Sequence, residues 1–325
     1  MQSDGVAMAL AFVVSLVGGS PIIAALRRRK LGQTISEDGP TSHKPKAGTP
    51  TMGGLIILLG LTAAIVYKAF AVGIDAQSRA VIWLVASYAA LGFVDDYLTV
   101  HPVKGVRGIS SKPKAAIQIV LAIAFVWTVH AYKPHATLSV AGWTFAAGML
   151  YSVLAVVFVG GMANFVNITD GLDGLVSGLT ALLAAVYCLA LPYGSPHFLM
   201  MALAASTLAF LWYNANPARV FMGDTGSLAI GAAIAGCAVV ENQEIFVIVA
   251  GLVFVLDGFS TMIQWAVFKF TRITTGSGRR VFKKSPIHHH FELSGWAEPT
   301  VVTRFWIMGA IAGAIAVLGV YSGLW

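Results

Sequence analysis

Charge is the scarcest property of this chain. Only 11% of its 325 residues are Asp, Glu, Lys or Arg, against 57% hydrophobic, and the mean hydropathy is +0.78. A soluble domain of this length is excluded by that balance. Cysteine is almost absent: Cys188 and Cys237 fall in separate apolar runs without metal spacing, which leaves packing as their role and argues against a zinc site or a disulfide framework. There is no GxxxxGK[ST] phosphate loop and no serine nucleophile elbow. GSGRR (276–280) is a lone glycine string that reads as a flexible turn.

Long apolar runs are abundant. A membrane-crossing helix needs about 20 apolar residues, and windows of that size give ten candidates, near 6–26, 53–72, 80–94, 115–132, 143–163, 174–191, 198–214, 227–240, 245–270 and 303–323. Unbroken runs mean helices rather than a barrel. The fold class expected is therefore an all-α polytopic integral membrane protein. Basic residues set its orientation. With their flanks, the odd-numbered connections hold 6, 4, 0, 1 and 7 Lys and Arg, whereas the even-numbered ones hold only Arg79 and Lys133. By the positive-inside rule the odd connections are cytoplasmic and both termini lie outside. The first run, preceded by Asp4 and followed by Arg27, Arg28 and Arg29, reads as a retained N-out anchor. The net charge of +7 belongs to these membrane-flanking loops, whose task is topogenesis and contact with anionic headgroups, so no nucleic-acid partner is expected.

The polar strings also favour one side. The even loops are short and nearly featureless, while the odd ones carry GPTSHKPKAGTPTMGG (39–54), DDYLTV (95–100), GISSKPK (108–114), NFVNITDGLDG (164–174), NANPARVFMGDTG (214–226) and SPIHHHFELSGW (285–296). Five aspartates, Asp95, Asp96, Asp170, Asp173 and Asp224, lie at the ends of apolar runs on that cytoplasmic side. A carboxylate at the bilayer centre costs roughly 2.5 to 3.5 kcal/mol on insertion scales, which confines such groups to an interface or a wet cavity. Asp95 and Asp96 end the third run, where two carboxylates oppose the helix dipole, and they read either as a solvated acidic helix end or as a pair that raises a pKa or invites a cation. Asp170 and Asp173 share a helical face if the sixth run starts there, with Thr169 or Asp170 as its cap. Asp224, in MGDTG, stands either beside a ligand or in a turn entering the eighth run. Oxygen ligands of this kind suit Mg²⁺ and phosphoryl transfer. His288, His289 and His290 are adjacent and cannot easily converge on one metal. With Phe291, Glu292 and Trp296 they read as a rigid polar loop for phosphate or sugar, or as packing.

Together GPTSHKPKAGTPTMGG, LGFVDDY, NITDGLDG, VFMGDTGS and PIHHHFELSGW resemble the phospho-N-acetylmuramoyl-pentapeptide transferase family over about residues 39–308. DDY, NxTDGxDG and GDTG alone would mark only the wider polyprenyl-phosphate sugar-1-phosphate transferases. The resemblance implies one transmembrane domain over 1–325, with catalytic loops at 27–52, 95–114, 164–173, 214–226 and 271–302 and a broken ninth helix. It implies a homodimer in the bacterial inner membrane. It also implies Mg²⁺-dependent transfer of phospho-MurNAc-pentapeptide from UDP-MurNAc-pentapeptide to undecaprenyl phosphate, giving lipid I and UMP. Carried over by motif, Asp224 is the principal Mg²⁺ ligand, and Asp95 and Asp96 are the catalytic acidic pair and further candidate ligands. His288 and His289 face the diphosphate or sugar. Lys46, Thr51, Asn167, Asp170, Gly171, Asp173, Asn214, Phe221, Gln264 and His290 contact substrate, and Lys112 and Lys114 meet the lipid phosphate.

Some positions depart from the family pattern. Thr99 stands where a basic residue is usual after DDY, leaving Lys104 or Arg107 to replace it. Asp257 stands where Glu is expected, and KKSP precedes the histidines. A sister transferase using UDP-GlcNAc would share the carboxylates, although PIHHHFE argues against it. A cation-coupled transporter would also carry intramembrane acids, and Asp257 keeps that alternative open.

Overall fold

The computed structural model describes residues 2–29, 46, 48–102, 105–132, 137–140, 143–146, 148–191, 194 and 196–324. Lys104 and most of GPTSHKPK lie outside the described residues. The chain folds as α1 (Gln2–Arg28), α2 (Gly54–Ala71), α3 (Ala76–Val100), α4 (Ser111–Tyr132), β1 (Thr137–Val140), β2 (Trp143–Ala146), α5 (Gly148–Thr169), α6 (Leu175–Ala190) and α7 (His197–Asn214). It continues through α8 (Gly223–Glu241), α9 (Glu244–Ala250), α10 (Leu252–Thr275), α11 (Ile287–Glu292) and α12 (Glu298–Tyr321). Eight of these helices are long and apolar enough to cross a membrane, and α6 is a shorter apolar one. This is a predominantly helical, multi-span membrane protein.

α8 is the axis of the bundle. Of its apolar stretch 89% is buried, against 28–39% for the other seven long helices. Its sequence, GDTGSLAIGAAIAGCAVVE, is built from small residues, which lets neighbouring backbones approach closely where lipid offers little hydrophobic drive for helix association. A Cβ at Gly231 would stand 2.5 Å from Ala163 Cα of α5. One at Gly92 of α3 would collide with the Asp224 carbonyl, and one at Gly54 of α2 with the Gly226 backbone. The three approaches bring α2, α3 and α5 against the N-terminal half of α8.

Several boundaries differ from the hydropathy reading. α3 runs on to Val100, so Asp95 and Asp96 lie within a helix rather than at its end. The apolar window stopped at the charges, whereas helical hydrogen bonding does not. For the same reason much of the segments taken as loops 95–114, 164–173 and 214–226 is helical at its edges. α6 starts at Leu175 after Gly174 at φ 81°, with no side-chain cap, so Asp170 and Asp173 sit in a turn and share no helical face. Residues 143–146, read as the start of the fifth span, are the second strand of an antiparallel hairpin pairing Thr137 with Ala146 and Val140 with Trp143. The apolar run Trp143–Ala146 suits a short strand as well as a helix, and hydropathy alone does not separate them. α9 and α10 meet at Gly251.

Candidate active site

The site forms where the N-terminus of α8 meets α3, α4 and the 170–174 turn. Two strained backbone positions assemble it. Met52 takes φ 69° and Gly223 φ 73°, and between them the 50–54 segment is tied to the entry of α8. Gly53 N donates to Phe221 O at 2.8 Å, Gly54 N to Met222 O at 2.9 Å, and Phe221 N to Pro50 O at 2.8 Å. A Cβ on Gly223 would press on Asp96 Oδ2 at 2.5 Å and Thr51 Oγ1 at 2.9 Å, so the turn closes only on glycine.

Within this frame the two adjacent aspartates of α3 have different partners. Asp96, buried, accepts from Asp224 N at 3.0 Å, Thr225 N at 2.9 Å and Thr225 Oγ1 at 2.6 Å. It caps α8 from a neighbouring helix, placing a carboxylate on the positive end of the dipole. Asp95 accepts from Ile109 N at 2.8 Å and lies 3.4 Å from Lys114 Nζ. Lys114 Nζ also donates to Asp224 Oδ2, so an ammonium from α4 bridges carboxylates of α3 and α8. Asp224 Oδ1 accepts from Asn167 Nδ2 at 2.8 Å, and that amide also donates to Ser227 Oγ at 2.9 Å. Asp170 is partly buried, with the Gly223 backbone N–H nearby. Loss of water, then the charges of Asp224, Asp96 and Asp173, push its carboxyl up to about 8.

Asp173 anchors a second group. It accepts from Lys46 Nζ at 2.8 Å, Asn216 Nδ2 at 3.1 Å and Ala218 N at 3.0 Å. Glu298, in the first turn of α12, accepts from Lys46 Nζ at 2.5 Å and from Asp173 N at 2.8 Å. Asn214 is engaged internally, accepting from Gly174 N and Ser177 Oγ and donating to Val220 O. These contacts fix the backbone on both sides of the turn.

The histidine run forms α11 and splits into three environments. His288 is fully buried and its Nδ1 pairs with Asp257 Oδ2 at 2.9 Å. His289 Nδ1 pairs with Glu292 Oε2 at 2.7 Å. Burial lowers the His289 imidazole below its usual pKa, with Glu292 opposing and His288 and Lys284 adding to the fall. His290 Nδ1 accepts from Lys283 N at 3.1 Å on the exposed side. Gln264 of α10 bridges to the same loop, accepting from Val281 N and Phe282 N and donating to Phe282 O. Phe291 stacks on Trp296 at 4.6 Å between ring centres, and Arg304 lies over Trp296 at 4.0 Å, so those two aromatics pack α11 towards α12.

The structure thus gathers Asp95, Asp96, Asp224, Asn167, Asp170 and Lys114 into one cluster, with Gly171 beside His288 and His289. Thr51 borders it, Phe221 ties into its backbone, and Lys112 is exposed two residues before Lys114, pointing to the other side of α4. Thr99 Oγ1 sits against the Gly108 turn beside Asp95. Glu298, Thr225 and Asn216 were missed by sequence reasoning. An acid opening the last apolar run was the visible signal for Glu298; Thr225 and Asn216 gave none. Asp257, which kept a transporter in view, is the partner of His288.

Oxygen-rich chemistry of the Asp224 and Asp95 carboxylates, bridged by a cation, fits Mg²⁺. Among the described residues no three His, Cys, Asp or Glu side chains stand together as a ready metal site. A bound Mg²⁺ would therefore draw much of its shell from substrate phosphate and water.

Known proteins resemble this chain in sequence. The Glycosyl transferase family 4 pattern matches residues 78–242, and the phospho-N-acetylmuramoyl-pentapeptide-transferase signature 1 matches residues 46–58. Curated proteins named phospho-N-acetylmuramoyl-pentapeptide-transferase align nearly end to end. The one from Geobacillus thermodenitrificans is 40% identical over 328 residues, covering 98% of this chain and 98% of its own. Those from Bacillus pumilus and Shouchella clausii are each 40% identical, covering 97% of this chain and 96% of theirs.

Proposed function

The chain belongs to the phospho-N-acetylmuramoyl-pentapeptide transferase family, and from that premise we propose that it makes lipid I for peptidoglycan synthesis. It transfers phospho-MurNAc-pentapeptide from UDP-MurNAc-pentapeptide to undecaprenyl phosphate. The observation that carries the chemistry is the Lys114 ammonium held between Asp224 and Asp95, a cluster of anions and a cation suited to two approaching phosphates. The signature at 46–58 and the 40% identities favour this donor over UDP-GlcNAc.

In the reaction an oxygen of the lipid phosphate attacks the sugar-linked phosphorus of the donor, and the bond to the α-phosphate breaks to release UMP. Asp95, oriented by Ile109 N, accepts the proton of the lipid phosphate. Lys114 turns from the carboxylates to the phosphate oxygens and offsets their charge. Asp224 would hold Mg²⁺, which when bound neutralises charge on the phosphates. Asp96 keeps Asp224 in place through the α8 backbone, and Asn167 orients its carboxylate. Direct attack needs no covalent aspartyl intermediate; phosphate trapped on Asp95 or Asp96 would overturn it.

The same reading makes ten spans of α1 to α8, the α9–α10 pair and α12, with the interruption at Gly251 as the break in the ninth. Both termini face outward and the site faces the cytoplasm of a bacterial inner membrane, a side supported by Lys46 and Lys114 lying with the acids. The protein works as a homodimer. UMP release by the purified protein tests the reaction. It should require the donor, undecaprenyl phosphate and Mg²⁺ together and stop with EDTA. Release restored only by UDP-GlcNAc would assign the sister reaction, and silence with both donors would refute transfer.

A further inference from the structure

Asp257 lies deep in α10 and is fully buried, as is His288. Its two oxygens meet two donors of one residue: Oδ2 pairs with His288 Nδ1 at 2.9 Å and Oδ1 with His288 N at 3.3 Å. A carboxylate only accepts, so Nδ1 carries the hydrogen, and in the uncharged tautomer this bond selects, Nε2 is an acceptor. Ser260 reinforces the docking, donating to Asp257 O at 2.7 Å and accepting from Ile287 N at 3.0 Å. Both the ring and the backbone of His288 are thus set by one turn of α10.

His288 Nε2 is buried and has no hydrogen-bond partner among the described residues. An unsatisfied buried nitrogen costs free energy and calls for a functional explanation. The atom lies against Gly171, next to Asp170 of the acid cluster. A Cβ at Gly171 would collide with Nε2 and come within 3.0 Å of Cε1, and it would stand 3.3 Å from His289 Nε2. Glycine there lets two imidazole edges reach one point of the turn, each ring held at Nδ1 by a carboxylate, Asp257 or Glu292.

We propose that Asp257 is a positioning residue for the transfer: it locks His288 with Nδ1 protonated, so that Nε2 is presented beside the acid turn as an acceptor for a hydroxyl or amide donor of the substrate. The inference rests on the reaction given above and adds to it the tautomer that His288 must hold. It explains why a buried acid is kept in α10 with His288 as its partner. An amide cannot substitute, because Asn offers one acceptor to two donors and, with its NH₂ on Nδ1, would move the ring hydrogen to Nε2.

The test is UMP release by Asp257→Asn, Asp257→Glu, His288→Gln and the Asp257→Asn/His288→Gln double variant, with thermal melting of each. Asp257→Asn should lower kcat about 10²-fold while donor KM stays within about threefold, because the interaction lost is made in the transition state. Asp257→Glu, which keeps both acceptors, should recover to within about tenfold of wild type. The double variant should be no slower than His288→Gln alone, since both changes remove one unit. Wild-type kcat in Asp257→Asn, independent multiplying losses in the double variant, or activity falling only in step with melting in both Asp257 variants would overturn the inference. An inactive wild-type protein would instead overturn the reaction and the inference with it.

Discussion

The two ends of α8 both carry acids, and they are solved differently. At the N-terminus Asp224, Asp96 and Asp95 are met by backbone N–H groups and the Lys114 ammonium. At the C-terminus Glu241 accepts from Tyr187 OH, and Glu244 accepts from Tyr151 OH, which also reaches Asn242 Oδ1 at 3.4 Å. The α8 dipole accounts for part of the difference: its positive end stabilises Asp224 and the capping Asp96, whereas Glu241 lies at its negative end and is met by a neutral phenol; Glu244 already opens α9. One end is built to keep charge available to a ligand. The other satisfies acids locally and closes on itself.

Removing charge at each end should therefore have unequal consequences. The largest effect is expected for Asp224→Asn, which should cut UMP release by about 10³-fold with an unchanged melting temperature, since a partly exposed carboxylate contributes chemistry rather than packing. Equal loss of fold and activity would break the contrast. Asp96→Ala should also silence the enzyme, but with a loss of about 1–2 kcal/mol of stability, because it removes the cap of α8. Denaturant or thermal melting of the two variants side by side separates ligand-facing from helix-capping carboxylates.

A pH experiment sharpens the same contrast. The Asp170 carboxyl sits near 8 in the folded protein against an ordinary 3.8, so between those values the folded chain holds a proton that the unfolded chain has lost. Stability of the metal-free protein should fall as pH rises through that window and be fully present below it. Melting in EDTA from pH 5 to 8.5 should show this slope in wild type and a flatter one in Asp170→Asn; parallel curves would refute it. The smallest effect is expected at the far end, where Glu241→Gln retains an acceptor for Tyr187 and should leave UMP release within about twofold. A collapse of activity there would mean that the two ends of α8 are coupled.

Much of the site was legible in the sequence because hydropathy and charge report a residue's solvent. Asp95, Asp170 and Asp224 were placed on one face from their positions beside apolar runs and the distribution of Lys and Arg, and they do converge. What was not legible depended on direction. DDY shows two equivalent acids, yet successive residues of a helix point about 100° apart, so Asp95 meets Lys114 while Asp96 caps α8. The hairpin at 137–146 escaped because its apolar residues suit either period.

Sequence by itself determined that this chain lives in a membrane, which residues carry its charge, and the family to which it belongs, since composition and short motifs are one-dimensional properties. Only the tertiary structure decided that α8 is the axis, that Glu298 clamps Lys46 and Asp173, and that Asp257 belongs to His288. Those pairings join residues separated by 31 to 252 positions, and a chain reveals such neighbours only when close packing brings distant segments within hydrogen-bond reach.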